Sequence, residues 1–151
     1  MDGLSFLKNN KVSRLKNAVA AGTTDITDAS SVDMASFETV TFLVPYGAIT
    51  TGSVTSVKVQ QSDDDGVSDG FSDLASSSIT VADDQDNKCA IVSVVRPQKR
   101  YLKPIVLRAT QNAAIDGIFA IQSVPRVAPV TQDSTVMAVS KELISPAEGT
   151  A

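Results

Sequence analysis

The sequence predicts an all-β fold, in the form of a jelly-roll-like β-sandwich of about eight strands. From Thr23 onward, Val, Ile, Thr and Ser dominate, and turn residues recur roughly every 8 to 15 positions, as they do between short strands. No long amphipathic segment separates the candidate strands, which favours a sandwich, jelly roll or barrel over a mixed fold. The candidate strands are residues 25–31, 38–44, 53–60, 78–81, 88–96, 100–109, 117–126 and 135–140.

The chain divides into three parts by composition. Its 151 residues, of which 42% are hydrophobic, are enough for one domain with a real core. We assign residues 1–22 to a basic N-terminal arm or short helix, residues 23–140 to the β-sandwich, and residues 141–151 to a flexible tail. The tail contains Pro146 and Gly149 among small residues, and we expect it to be mobile or bound to a neighbour.

The N-terminal segment has a helical pattern. Its apolar residues recur mostly at spacings of three and four, as on one face of a helix, with an interruption at Asn9 and Asn10. Gly22 provides a stop. The apolar positions are Leu4, Leu7, Val12, Leu15 and Val19. This pattern predicts a short helix around residues 11–21, or an arm that orders only against a partner.

Two candidate strands are apolar on both faces. In residues 88–96 the odd-numbered and the even-numbered positions are both largely apolar, and the same holds for residues 117–126. Such a strand is buried on both faces, or its outer face is covered by another subunit. Covered outer faces predict a homo-oligomer; the alternative is that one sheet is simply more central. Residues 53–60 instead alternate, with Val57 and Val59 predicted to point inward.

The composition excludes most enzyme chemistry. There is no His and no Trp, and Cys89 is the only cysteine. Ser-His-Asp and Cys-His catalysis, histidine-based metal sites and an intrachain disulfide are therefore ruled out. Cys89 lies in an apolar strand without a nearby base, which predicts a small buried residue. We predict a non-enzymatic protein with no catalytic, cofactor-binding or metal-binding residues.

Membrane contact is not expected. No stretch approaches the roughly 18 consecutive apolar residues of a transmembrane helix, and residues 1–11 lack the apolar core of a secretory signal. Without a disulfide framework, a protein made and kept in a cytoplasm is the default.

Charge is distributed unevenly along the chain. Residues 1–20 carry a net charge of +3, and the remainder carries −7. A basic segment on an acidic body indicates two functional parts, and the acidic body argues against direct nucleic-acid binding. The basic segment therefore predicts partner contacts, with a solvated terminus as the alternative. The candidate partner-binding residues are Phe6, Lys8, Lys11, Arg14, Lys16, Lys99 and Arg100.

The basic stretch at residues 96–103 has two compatible interpretations. It docks on an acidic partner or on the Asp-rich loops of a neighbouring subunit, or it protects a sheet edge from unwanted pairing. Pro104 removes a backbone donor from the strand at 100–109, which is therefore predicted to be an edge or to carry a bulge.

Two acidic loops, residues 63–73 and 83–87, stand out in the body. Clustered carboxylates are the ligands of a hard cation such as Ca²⁺, but the spacing at 63–73 does not match an EF-hand loop. We favour solvated turns in which Asp and Gly supply the geometry. A glycosidase pair is disfavoured because a sugar cleft needs aromatic platforms and the chain has five Phe and two Tyr.

Five short motifs follow one another between residues 57 and 130. They read VKVQQSDDDG at 57–66, FSDL at 71–74, KRYL at 99–102, IVLRA at 105–109 and VPRVAPV at 124–130. Their order resembles small head proteins of tailed bacteriophages, in particular the capsid decoration (cement) proteins. The resemblance covers roughly residues 24–130.

The resemblance implies a β-rich homotrimer on the outer surface of an icosahedral capsid, made in the bacterial host cytoplasm and located in the virion. Its partner would be the major capsid protein, and its task would be to clamp neighbouring coat subunits. The basic residues between 8 and 16 would reach over the coat lattice. The alternatives are another phage particle component, such as a head-completion or tail-tube subunit, and a carbohydrate-binding module, which usually offers Trp or Tyr platforms.

Overall fold

The computed structural model describes residues 2–150, and nearly all of its regular structure is β. Its two helical pieces are a 3₁₀ turn at Asp2–Leu4 and the single-turn helix α1 at Phe6–Asn9, and neither has the length or apolarity to cross a bilayer. The strands of the described part are β1 Asn10–Lys16, β2 Val19–Gly22, β3 Val32–Asp33, β4 Phe37–Ile49, β5 Val54–Ser62, β6 Ser72–Asp73, β7 Ile79–Val81, β8 Cys89–Val95, β9 Tyr101–Ala109, β10 Ala113–Ile115 and β11 Ile118–Pro125. The predicted all-β sandwich class is confirmed.

The strands form two antiparallel sheets. In the first sheet β1 and β2 lie end to end and form one edge, and β10 and β11 lie end to end beside them. The order across the sheet is therefore β1/β2, β10/β11, β4 and β8, which gives four strand positions. In the second sheet β9 and β5 are central, with β3 on one side and β6 and β7 on the other. The first sheet therefore has two edges, one formed by β1/β2 and the other by β8.

The core lies between the two sheets. The alternate residues Val40, Phe42 and Val44 of β4 are fully buried, and the predicted inward pair of β5, Val57 and Val59, belongs to the same apolar cluster. Burying one such side chain contributes about 1.5–3 kcal/mol. Val and Phe at every second position suit a pleated, half-buried surface, which is why these segments form strands.

Pro104 lies in β9, which is neither a free edge nor bulged. Its register with β5 runs without a shift along the whole strand. On its other side, pairing is limited to the two residues of β3 and to a single bridge at Val106. Pro104 falls in the gap between these contacts, so its missing N–H leaves no ladder bond unmade. The prediction of an edge strand is therefore correct only at Pro104, where β9 has no neighbour on one side among the described strands, and the alternative prediction of a bulge is wrong.

The N-terminal helix is present, but it lies at α1 and not around residues 11–21. That stretch instead forms β1 and β2, which pair with β11 and β10. Ser13 and Leu15 are buried, whereas Arg14 between them is exposed. Apolar spacing of three and four is compatible with two short strands as well as with a helix, and the backbone partners on β11 decide between them. Residues 10–16 are thus part of the body rather than a separate arm.

Two further predicted strands are wrong. Residues 25–31 make one isolated bridge, at Ile26, within a loop that buries Ile26 and Ala29. Residues 135–140 form a turn and irregular chain, because the Asp133 carboxylate accepts hydrogen bonds from the backbone N–H and the hydroxyl of Thr135, at 2.9 and 2.7 Å. Such local side-chain bonds compete with strand pairing.

A buried arginine ties the two sheets together at one end of the sandwich. Arg108 of β9 is 5% exposed. Its Nε donates to the Thr24 carbonyl at 2.7 Å, and its Nη1 donates to the carbonyls of Ala20 and Ala113 at 2.9 and 2.7 Å. The Asp25 carboxylate in turn accepts the backbone N–H of Arg108 at 2.8 Å. Protein acceptors thus replace water around the cation, and they hold β2 and β10 against β9.

Replacing Arg108 with Met keeps the aliphatic stem but removes the donors to three carbonyls. We expect the free energy of unfolding to fall by about 3 kcal/mol, measured by urea denaturation. Lys103→Met is the control in the same strand, because it removes only a 3.2 Å hydrogen bond to the Thr27 carbonyl and a 4.5 Å contact with the Phe71 ring from a half-buried site. That change should cost less than about 1 kcal/mol. Equal losses in the two variants would contradict the tying role of Arg108.

Candidate interaction surfaces

One glutamine side chain covers the start of the outer edge of β1. Gln132 donates from Nε2 to the carbonyls of Asn10 and Leu7, at 2.6 and 2.9 Å, and its Oε1 accepts the backbone N–H of Val12 at 3.0 Å. Asn10 and Val12 present these groups on the same side of the strand, away from β11. The carboxamide of Gln132 therefore stands in for the peptide group of a neighbouring strand.

Two further contacts fasten the chain after β11 to the N-terminal residues. The backbone N–H of Val130 donates to the carbonyl of Lys8 at 2.8 Å. The hydroxyl of Ser5 donates to the two carboxylate oxygens of Glu142 at 2.6 and 2.8 Å, and the Leu7 N–H donates to the same carboxylate at 3.2 Å. Together with the Gln132 contacts, these form what we call the terminal clip. The predicted flexibility of residues 141–151 stays a prediction, but Glu142 is held at the N-terminus of the same chain.

The terminal clip brings exposed apolar side chains from both ends of the chain together. Leu4 and Phe6 flank Ser5, and Leu143 and Ile144 follow Glu142. All four are exposed, with Leu4 at 87% and Ile144 at 82%. We call these four residues the terminal patch. Large apolar side chains that cluster on a surface mark interaction sites more often than scattered ones do.

The predicted basic residues of the N-terminal segment lie on α1 and β1. Lys8 is exposed on α1, and Lys11 is half-buried on β1. The Arg14 guanidinium lies over the ring of Phe119 at 5.7 Å. Lys16 forms an ion pair with Asp28 at 2.5 Å, which holds the pKa of that carboxyl below its usual value. The positive charge of Lys16 is therefore already matched within the chain.

Lys99 and Arg100 are paired with carboxylates of their own chain. Lys99 contacts Asp69 at 2.5 Å and Asp63 at 3.5 Å, so it meets the first acidic loop in the same molecule. Arg100 makes two hydrogen bonds to the Asp33 carboxylate, at 2.9 and 2.7 Å, and these hold the pKa of Asp33 below its usual value. Partner binding by these two residues stays a prediction. Their charges, however, are matched in place.

The carboxylates of the first acidic loop serve the loop itself. Asp64 accepts the backbone N–H groups of Val67, Ser68 and Asp69 at 3.1, 2.7 and 3.1 Å. The bond from Ser68 is the main cause of the lowered pKa of Asp64. Asp69 accepts the N–H of Asp63 at 2.8 Å in addition to its bond from Lys99. These contacts match the turn interpretation rather than a cation site.

No group of three or more metal-ligating side chains in residues 2–150 lies close enough to hold an ion. Cys89 is exposed, contrary to the predicted burial, because it lies on the outward face of the edge strand β8. Partial desolvation raises the pKa of its thiol, so Cys89 is not an activated nucleophile.

Comparisons with known proteins give weak structural likenesses. No protein-family model matches the chain, and no curated protein sequence matches it. The chain is similar to solved structures from infectious bursal disease virus: the VP2 subviral particle (10% identity, TM-score 0.26), the Gt strain (8%, 0.28) and the Gx strain (9%, 0.26). These matches cover 77 to 78% of this chain and 42% of each of the others, so it spans less than half their length. Scores of this size do not establish a shared fold.

Sequence reasoning did not single out Gln132 or Glu142. An isolated Gln in an irregular segment carries no local signal, because its role depends on which distant backbone groups are unpaired. The one available signal for Glu142 was the apolar pair Leu143 and Ile144 beside it, which is unusual in a solvated tail.

Loss of the Gln132 carboxamide should open the terminal clip without unfolding the sandwich. In Gln132→Leu, three backbone groups of residues 7–12 lose their partner, so we expect roughly tenfold faster proteolytic cleavage in residues 5–12 and 127–143. Gln98→Leu changes the same side chain at an exposed site and is the control. Unchanged cleavage in Gln132→Leu would show that the clip does not order the termini.

Docking of Glu142 should depend on pH. The Ser5 hydroxyl, and after it the Leu7 N–H, hold the pKa of Glu142 below its usual value. The contact is therefore fully present above the ordinary pKa of Glu and is lost as the pH falls through the lowered value. Amide exchange at Leu7 should accelerate as the pH falls below the ordinary pKa of Glu, beyond the intrinsic pH dependence of exchange. Glu142→Gln removes the titrating group, and an identical transition in that variant would contradict the assignment.

Proposed function

We propose that this chain is a structural protein of a tailed bacteriophage, which decorates the outer surface of the capsid and bridges neighbouring coat subunits. The proposal rests on the motif resemblance between residues 57 and 130 and on the character of the described surface. The observation that carries it is the terminal patch, four exposed apolar residues that flank the Ser5–Glu142 hydrogen bonds. A decoration protein needs such contacts and needs no active site.

The terminal patch suits docking because the chain orders it in advance. Ser5, Gln132 and Glu142 fix the positions of Leu4, Phe6, Leu143 and Ile144 before any partner is met. Binding through a preorganised surface avoids much of the entropy cost of ordering a free arm. The exposed side chains gain roughly 25 cal/mol for each Å² of apolar area that a partner covers.

Lys8 and Lys11 of the N-terminal segment indicate that the partner surface carries negative charge. Lys8 is exposed and Lys11 is half-buried on the same N-terminal segment. A coat surface that offers an apolar pocket with carboxylates at its rim would match this arrangement, and rim charges chiefly set the association rate and the choice of partner. Many identical copies on one lattice would then add avidity to modest single contacts.

Co-sedimentation with shells assembled from the purified coat protein of the same phage tests the proposal. We expect the wild-type chain to bind, and Phe6→Ser with Ile144→Ser to bind at least about tenfold more weakly, because two apolar anchors are lost. Val67→Ser is the matched control, since Val67 is 84% exposed on the first acidic loop.

Equal binding by the double variant and the control would remove the terminal patch as the docking site. Failure of the wild-type chain to bind any coat shell would contradict the decoration role itself.

A further inference from the structure

The β8 edge of the first sheet is open. On the β4 side, Arg96 donates its N–H to the Glu38 carbonyl and the Lys88 carbonyl accepts from Tyr46. Even-numbered residues of this stretch therefore direct their backbone groups towards β4, and odd-numbered residues direct theirs away from it. Within residues 2–150, no backbone partner meets the outward groups of residues 89–95.

The side chains of β8 include none of the types that block pairing of an exposed edge strand with another strand. Residues 89–95 contain no charge and no proline, which are the usual protections of an exposed edge. Ile91 and Val95 are 56% and 67% exposed on the outward face. On the inward side the strand borders an open groove of about 410 Å³, whose other wall includes Leu74 and Ile79. A strand added here would cover apolar surface on both faces.

The two ends of β8 carry opposite charges. The second acidic loop precedes the strand, and no cation of the described chain forms an ion pair with Asp83, Asp84 or Asp86. Lys88 offsets one of these three charges and leaves the loop region negative. Arg96 follows the strand, and no described carboxylate pairs with its exposed guanidinium. The edge is therefore acidic at its start and basic at its end.

We propose that the β8 edge binds β8 of a second copy of this chain, antiparallel and about a two-fold axis. In that arrangement the acidic loop of each copy meets Arg96 of the other, so the charge match occurs twice. Parallel pairing would place like charges side by side. The pairing joins the first sheet of one copy to the first sheet of the other, which gives one continuous sheet with eight strand positions. The contact is isologous, as in most symmetric dimers.

The charges also select a register. With the axis at Ile91, the two Ile91 residues lie opposite each other and Arg96 reaches Asp86 of the second copy. A shift that centres Val92 would instead place Arg96 opposite Lys88, which is unfavourable. The opposite edge of the first sheet is not free for the same pairing along β1, because Gln132 already bonds the outward Asn10 carbonyl and Val12 N–H.

Light scattering of the purified chain, without shells, measures this interface independently of the decoration role. We expect twice the chain mass of 15.8 kDa at micromolar concentration. Arg96→Asp, and separately Asp84→Lys with Asp86→Lys, should each weaken the dimer at least about tenfold by placing like charges together. Asp tolerates the positive φ of residue 96, so the first variant keeps its backbone. Lys141→Asp is the control for an equal charge change in the exposed tail.

Mixing the two charge variants is the decisive step. A copy with Arg96→Asp and a copy with Asp84→Lys and Asp86→Lys match at both contacts, so an equimolar mixture should recover a dimer of wild-type affinity. A monomeric or trimeric wild-type chain would overturn the proposal, as would a dimer that neither charge variant weakens. Two weakened variants whose mixture stays monomeric would also overturn it.

A disulfide tests the register. In a Cys89→Ser background, Ile91→Cys places two thiols on the axis, within the 4.4–6.8 Å Cα separation that a disulfide accepts. Air oxidation should then cross-link Ile91→Cys at least about tenfold faster than Val95→Cys, which shares the same face but lies off the axis. Equal rates would overturn the two-fold pairing at Ile91.

Discussion

The first sheet is organised around one strand, β4. Its 13 residues pair with β10 and β11 on one side and with β8 on the other, and Val40, Phe42 and Val44 anchor it in the core. Because side chains alternate with a period of two, the burial of these residues fixes which residues of β8 and β11 face outward. A shift of one residue would expose the core. The surfaces available to partners are thus a consequence of how β4 is buried.

The two edges of this sheet are treated differently by the chain. The start of the β1 edge is covered by the C-terminal segment of the same chain, through a side-chain amide that replaces a peptide group, whereas the outward backbone groups of β8 have no partner in residues 2–150. The same C-terminal segment also holds Glu142 against Ser5, which positions the terminal patch. In the two proposals, one edge of the sheet would present exposed apolar residues to an unlike partner, and the other would present a charge-polarised strand to a second copy.

Local pattern was enough to predict the fold class and most of the long strands, because alternation at Val57 and Val59 and the turn residues between strands are local properties. Residues 11–21 could not be assigned this way, since their conformation depends on β11 and β10, which lie far away in the sequence. The pairing of Lys99 with Asp69 joins two segments that the sequence showed only as separate charges. The role of Gln132 could not be predicted from the sequence either, because its partners are backbone groups of distant residues whose positions the sheet determines.

The start of the β1 edge is covered by the chain itself, whereas the outward backbone groups of β8 have no partner within residues 2–150 and are proposed to pair with a second copy. Amide exchange followed residue by residue by NMR, across a range of protein concentrations, tests it most directly. We expect the Val12 amide to exchange slowly at every concentration, and the Ile91 and Ser93 amides to exchange fast in dilute protein and more slowly as the concentration rises. Slow exchange at Ile91 in dilute protein, or exchange there that ignores concentration, would contradict it.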